Sequence, residues 1–222
     1  TRRSSDLIVD NCSTDGTSEY LDDLKKQHNE IIVVHNSENV GGAGGFSVGV
    51  EIAAKETPDN WLFLADDDAF PDENMLQELK NSYANLDNKE EICVLCTSVI
   101  NYEKIDFAHR RRVKKTQHGV ISYEVPENEY NKPFYLDEAS FVGFAIRASL
   151  IKNIGLPIKS FFIYYDDTEY SLRVTKYGKI LCIPTAKMHH NVKSRDVGVS
   201  WRDYYSVRNY LYMLDKHYDK KY

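Results

Sequence analysis

The sequence predicts an α/β domain built on a mostly parallel sheet flanked by helices. Short apolar runs recur at 7–9, 31–34 and 61–64, and the stretches between them carry apolar residues three to four apart. Strands that alternate with helices of this length read as βαβ units, whose strands pair in parallel. Each of the three runs also ends in a cluster of Asp, Asn or Gly. In such folds functional groups gather beyond the carboxyl ends of the strands, so the clusters are expected to converge.

The elements follow in order. Leu7-Ile8-Val9 runs into Asp10-Asn11-Cys12-Ser13-Thr14-Asp15-Gly16, which is turn chemistry, and a helix is predicted from Ser18 through Leu24. Ile31 to Val34 leads to Gly41-Gly42-Ala43-Gly44-Gly45, read as a glycine-rich loop, with a helix from Ser47 to Lys55. Trp61 to Leu64 ends in Asp66-Asp67-Asp68, and Pro71 to Leu86 reads as a helix with Met75, Leu76, Leu79 and Tyr83 on one face. Ile92 to Ile100 is an apolar strand. The basic run His109 to Lys115 is expected as a solvated loop or hairpin, or otherwise as a contact for phosphate or an anionic head group. Glu138 to Ile146 reads as one strand, with Gly143 where a ligand could approach closely. A short helix spans Leu150 to Gly155. Ser160 to Glu169 turns from aromatic to acidic and opens a helix that Gly178 stops. The strand Ile180 to Ile183, the pair His189-His190 and a tail helix from Trp201 to Tyr222 complete the chain.

Composition narrows the function. The 222 residues suit one domain, or one domain with an appendage, and a hydrophobic share of 42% supplies a core that a disordered chain lacks. A net charge of −6 leaves no nucleic-acid footprint across the domain. No apolar run reaches membrane-spanning length, and no signal peptide opens the sequence. Cys93-Val94-Leu95-Cys96 lacks the second pair of a zinc site and is expected to fill a strand. The cysteine usage points to a reducing, intracellular setting.

Three consecutive acids at the end of a buried strand repel one another, and partial burial disfavours their ionisation. A divalent cation would neutralise them, and Asp oxygens suit Mg²⁺ or Mn²⁺. An acidic turn in water has the same composition. The glycine run is not followed by the Lys-Ser/Thr of a P-loop and lacks dinucleotide-fingerprint spacing. What it offers is a backbone able to lie against a planar or phosphate-bearing ligand at a helix start.

Taken together, Asp10-Asn11-x-Ser-Thr-Asp-Gly16, Asn39-x-Gly-Gly-Ala-Gly-Gly-Phe46, Asp66-Asp67-Asp68, Tyr165-Asp166-Asp167-x-Glu169 and His189 resemble a family 2 glycosyltransferase with the GT-A fold. The likeness is greatest to the galactofuranosyltransferase and rhamnosyltransferase branch and runs from about residue 5 to residue 212. It implies a Rossmann-like, mostly parallel central sheet flanked by helices. The family's first strand would precede Thr1. Residues 1–222 would be a single domain, with about 1–100 forming the donor half and 101–222 an acceptor half ending in a C-terminal helix.

The resemblance implies an inverting, metal-dependent transfer from a UDP- or dTDP-linked sugar to a glycan or polyprenyl-linked acceptor. That places it in cell-surface polysaccharide synthesis, in the cytoplasm with peripheral contact at the inner face of the plasma membrane. Asp10, Asn39, Gly41, Gly42 and Asp67 would bind the donor. Asp66, Asp68 and His189, preferred over His190, would hold Mn²⁺ or Mg²⁺. Asp167 would be the general base, with Asp166 and Glu169 raising its proton affinity or holding acceptor hydroxyls. Tyr164, Tyr165 and Trp201 would stack on sugar faces or pack in the core. Two further readings stay open on the sequence: a sugar-nucleotide nucleotidyltransferase, and a non-catalytic sugar-binding module of the same fold.

Overall fold

The computed structural model describes residues 6–117, 119–192 and 198–218. In chain order its elements are β1 (Asp6–Asp10), α1 (Thr17–Gln27), β2 (Ile31–His35), α2 (Gly41–Glu56), β3 (Trp61–Leu64), β4 (Phe70–Pro71), α3 (Met75–Ala84), β5 (Ile92–Asn101) and β6 (Lys104–Ile105). There follow β7 (Arg110–Thr116), β8 (Gly119–Glu124), β9 (Phe134–Leu136), β10 (Glu138–Ala139), β11 (Phe144–Arg147), α4 (Ile151–Ile154), α5 (Asp166–Val174), β12 (Lys179–His189) and α6 (Trp201–His217).

Strands β1 and β2 pair in parallel, from Asp6 opposite Ile31 to Asp10 opposite His35. The main sheet runs β3–β11–β5–β12–β4, with β6 added to β5 and β9 to β12. Its central pair, β5 with β12, is parallel, and the flanking pairs are antiparallel. The sheet is therefore mixed, with its parallel pairing at the centre and in the separate β1–β2 unit.

Helices cover both faces of the main sheet. Val94 and Cys96 of β5 pack with Val50 of α2, Phe144 and Ile146 of β11, and Tyr170 and Val174 of α5. Leu95 and Val99 pack on the other side with Met75 and Leu79 of α3 and Leu181 and Ile183 of β12. Successive strand side chains point to opposite faces, so a strand covered on both sides must be apolar at every position. Burying each Ile, Leu or Val there contributes about 1.5–3 kcal/mol. That accounts for the apolar run Ile92–Cys96, in which Cys93 and Cys96 are buried and free; the buried Thr97 and Ser98 interrupt it before Val99 and Ile100.

The structure departs from the sequence reading at several elements, among them β12, which runs beyond the expected Ile180–Ile183 to His189. Helix α2 starts at Gly41, well ahead of Ser47, so the glycines form its first turns. Glycine costs about 1 kcal/mol per helical position; close approaches to Phe162 and Val40 require it at Gly41 and Gly44, whereas Gly42 and Gly45 face open space. Helix α3 starts only at Met75, because Phe70–Pro71 pairs with β12 as an edge strand. The expected strand Glu138 to Ile146 is broken: β10 pairs with β7, whereas β11 lies between β3 and β5. The crossing at Gly143 has φ +72°, and a Cβ there would sit 2.0 Å from Thr97 Oγ1. The basic run forms β7 of a hairpin with β8, one of the forms expected, but its Arg110 is fully buried instead of solvated. Helix α6 ends at His217; the tail positions 219–222, read as helix, lie outside the described residues.

Candidate active site

Two adjoining clefts open where α2, α5 and α6 meet the sheet. The first, of about 540 Å³, is lined by Gly42, Phe46, Asp66, His109, Ser140 and Asp167 among others. The second, of about 590 Å³, is lined by Asn11, Asn39, Gly41, Gly42, Trp201 and Tyr205 among others. Gly42 and Ile163 border both.

A strap of residues 160–165 separates α2 from α6. Phe162, Tyr164 and Tyr165 have φ of 65°, 68° and 65°, a left-handed backbone that bulky residues rarely adopt. Asn209 of α6 holds it there. The buried Asn209 Nδ2 lies 3.0, 3.0 and 2.9 Å from the carbonyl oxygens of Phe161, Ile163 and Tyr164. Arg208 donates to the carbonyls of Ser160 and Phe161 and stacks over Tyr205. On the other side the strap presses on α2, where Ala43 N donates to Phe162 O at 3.2 Å. Gly41 makes that approach possible: it has φ +72°, and a Cβ would lie 2.1 Å from Phe162 O.

The helix start is fixed from below by side-chain amides. Asn39 Oδ1 accepts from Gly41 N at 2.9 Å and from Asn11 Nδ2 at 3.0 Å. Asn11 Oδ1 accepts from Val40 N and Asn36 Nδ2. Asn39, Gly41 and Gly42 thus reach the second cleft, as does Asn11. Asp10 does not. It is buried, and its carboxylate accepts hydrogen bonds from Ser13 N, Ser18 Oγ and His35 Nδ1. The bonds from Ser13, then those from Ser18 and His35, hold its pKa far below the usual carboxylate range. Expected as a donor contact, it instead ties β1 to α1 and β2.

The structure gathers Asp66, Asp68 and His190, whose ligand atoms lie within 4.8 Å of one another. His190 Nε2 stands 3.1 Å from Asp68 Oδ1, and its buried Nδ1 has no hydrogen-bond partner among the described residues. Two carboxylates with an imidazole nitrogen are a donor set that Mn²⁺ accepts readily, and Mg²⁺ through the oxygens. Burial, together with Asp68, Asp167 and Asp67, pushes the Asp66 pKa up to about 6, against the pull of His190. The preference for His189 is corrected here. Its Nε2 lies 2.6 Å from Asp72 Oδ1, beside the β4 edge. Neighbours on an extended chain face opposite ways, so only one of the pair can face the acids. Asp67 is exposed and borders neither cleft.

Helix α5 presents the second set of acids. Asp166 and Asp167 line the first cleft with Asp66. Burial is the main force raising the proton affinity of both, and for Asp166 the charge of Asp167 adds to it. Asp167 Oδ1 accepts from Thr168 N at the helix start. Glu169 is not brought to the cleft. It is 3% exposed, and its oxygens accept from Arg173 and His217, joining α5 to α6. The i,i+4 partner and the second helix draw it to the back of α5. Tyr164 and Tyr165 line the first cleft and Trp201 the second.

Several residues at the site carry no signal in the sequence. Arg110 Nε donates to Thr97 O at 2.8 Å and its Nη2 to Val142 O at 2.6 Å, which fixes the wall from Ser140 to Gly143. His109 packs edge-on against His190, with ring centroids 5.7 Å apart. Asn209 stands out in the sequence only as an amide within a helix rich in Tyr and basic groups.

The matched family model is Glycosyl transferase family 2, over residues 7–154. The chain belongs to this family. It is similar to galactofuranosyltransferase GlfT2 of Mycolicibacterium smegmatis, with 26% identity over 97% of this chain and 38% of that protein. It is also similar to dTDP-rhamnosyl transferase RfbF of Shigella flexneri, with 23% identity over 96% of this chain and 71% of that one. Among solved structures it resembles GalNAc-T7 with UDP, GalNAc and Mn²⁺, at TM-score 0.69 and 19% identity over 96% of this chain and 41% of that one. S. aureus TarS 1-349 in complex with UDP gives TM-score 0.54 and 15% identity over 85% and 51% of the two chains. The fold is GT-A. The chain thus spans well under half the length of the galactofuranosyltransferase relative.

Proposed function

We propose that this domain transfers a sugar from a nucleotide-diphosphate donor to a glycan or lipid-linked hydroxyl, with inversion and with help from a divalent cation. The observation that carries the reading is the shared cleft: Asp66 of the Asp66–Asp68–His190 cluster and Asp167 border one cavity. The second cleft, with Asn11, Asn39, Gly41 and the rings of Trp201 and Tyr205, adjoins it and suits the nucleoside. The galactofuranosyltransferase and dTDP-rhamnosyl transferase relatives favour a galactofuranosyl or rhamnosyl donor, and the resemblance read from the motifs implies a UDP- or dTDP-linked sugar and a cell-surface polysaccharide as product.

Asp66, Asp68 and His190 would hold Mn²⁺ or Mg²⁺, which supplies positive charge against the diphosphate. Asp167 takes the proton of the acceptor hydroxyl as that oxygen attacks the anomeric carbon. The bond from this carbon to the diphosphate oxygen breaks, and its electron pair leaves with the nucleotide. Attack from the face opposite the leaving group inverts the anomeric centre. The raised proton affinity of Asp167 suits it to this task. The strap and α2 orient the nucleotide end, and Phe141 and Val142 help exclude water from the wall. On this reading the donor half draws on residues beyond 101, since His190, Trp201 and Tyr205 border the donor side.

Incubation with Mn²⁺ and a panel of UDP- and dTDP-sugars tests the proposal. Asp167→Asn is expected to lower transfer by about 10²–10⁴-fold while donor binding persists. Full transfer by Asp167→Asn would remove Asp167 from the mechanism. Metal-dependent donor binding that survives His190→Ala or Asp68→Ala would move the cation elsewhere.

A further inference from the structure

Ser140, His109 and Arg110 form a hydrogen-bonded relay at the wall of the first cleft that the mechanism above does not use. Ser140 and His109 both border the cavity, opposite the acids of α5. Ser140 Oγ lies 2.6 Å from His109 Nδ1 and 3.3 Å from Arg110 Nη1. A guanidinium only donates, so Ser140 Oγ accepts from Arg110. His109 Nε2 faces Asp106 Oδ2 at 3.7 Å. That is beyond hydrogen-bond range, but a carboxylate beside Nε2 favours the imidazole proton on that nitrogen, which leaves Nδ1 as the acceptor. The hydroxyl of Ser140 must then donate to His109. Its one proton is turned inward, and what Ser140 presents to the cleft is a lone pair.

The serine is also held in place. Arg110 is fully buried and binds the Val142 and Ser140 carbonyls, and Ser171 Oγ bonds both the N and the O of Ala139. We propose that Ser140 is a specificity-determining residue, accepting a hydrogen bond from one hydroxyl of the sugar in this cleft. The sugar is the donor's or the acceptor's, and the inference rests on the proposed transfer reaction. A wall group fixed to accept from one hydroxyl favours a sugar that carries it over one that lacks it.

Calorimetry on the full chain with Mn²⁺ provides the test. One arm measures UDP-galactofuranose and dTDP-rhamnose against their monodeoxy forms. The other measures octyl galactofuranoside and octyl rhamnoside against theirs, with UDP present. At one ring position the native chain should bind the parent about tenfold more tightly than the deoxy sugar. Ser140→Ala should shrink that ratio to about twofold, and Ser140→Thr should restore it. The arm in which this happens identifies the source of the hydroxyl. The same ratios in Ser140→Ala as in the native chain, at every position, would overturn the inference, as would a native chain that binds every deoxy sugar as well as its parent. No sugar binding in either arm would overturn the inference, and the transferase reading would fall with it only if the wider panel of UDP- and dTDP-sugars also gave no transfer. Loss of discrimination in a protein whose Asp167→Asn variant still transfers would leave Ser140 standing and remove only the base.

Discussion

Replacing Asp66 with Asn is expected to stabilise the metal-free protein near neutral pH. Burial and the neighbouring acids raise the Asp66 pKa from its ordinary 3.8 to about 6. A carboxylate whose pKa rises on folding opposes folding once it is ionised. The cost is fully present above about pH 6 and fades as the pH falls towards 4. The difference corresponds to about 3 kcal/mol near pH 7.5, as an upper figure for a side chain that keeps some exposure. Asn carries no charge and escapes the cost. In urea unfolding with EDTA near pH 7.5, Asp66→Asn should therefore raise the midpoint, and near pH 4 the two proteins should converge. Mn²⁺ should raise the midpoint of the native protein near pH 7.5, and much less near pH 5, where protons compete for the same oxygen. It should leave Asp66→Asn unmoved. His35, whose pKa is raised by Asp10 and Asp22, also loses stabilisation as pH rises, but comparison at equal pH cancels it. An Asp66→Asn protein that is less stable in EDTA near pH 7.5, or that responds to Mn²⁺ like the native one, would refute the reasoning.

Three further substitutions probe the frame around the site. Gly41→Ala should cost about 2–5 kcal/mol, combining a left-handed backbone with a forced contact on Phe162, and should weaken UDP binding in calorimetry; an unchanged melting temperature would show that the strap yields freely. Asn209→Ala should cost about 2–3 kcal/mol by stripping buried carbonyls of their donor, with hydrogen exchange rising first in residues 160–165. Exchange that rises only on global unfolding would mean the strap does not depend on α6. Glu169→Gln should lower stability by about 2–4 kcal/mol through the Arg173 and His217 contacts yet change kcat by less than about threefold. A loss of kcat matching that of Asp167→Asn would return Glu169 to the reacting centre.

The strands and the acids were legible because they rest on local chemistry. Three apolar runs ending in polar clusters, and the order of the motifs after them, located β1, β2, β3 and the start of α5. What stayed hidden depends on contacts across the fold. Gly41 to Gly45 reads as a loop on propensity, yet a helix forms because only glycine allows α2 to approach Phe162 so closely. His189 and His190 differ by one residue, and the half-turn between them is set by how β12 ends, which periodicity does not register. Glu169 has the composition of a site residue, and only the approach of α6 with His217 reveals that it is a brace. Arg110 looked like one member of a solvated basic run. Its burial follows from the broken strand at Ser140–Gly143, whose carbonyls needed a donor.

The clamp from α6 also sets when the site exists. Asp66, Asp68 and Asp167 are all made before residue 170, but the amide that pins the strap arrives only with Asn209. A chain leaving the ribosome at roughly 5–20 residues per second therefore carries every acid for some seconds before it can hold the wall between the two clefts. Helix α6, made after all these acids, is what closes the architecture, and a chain that stops short of Asn209 has the reagents without the vessel.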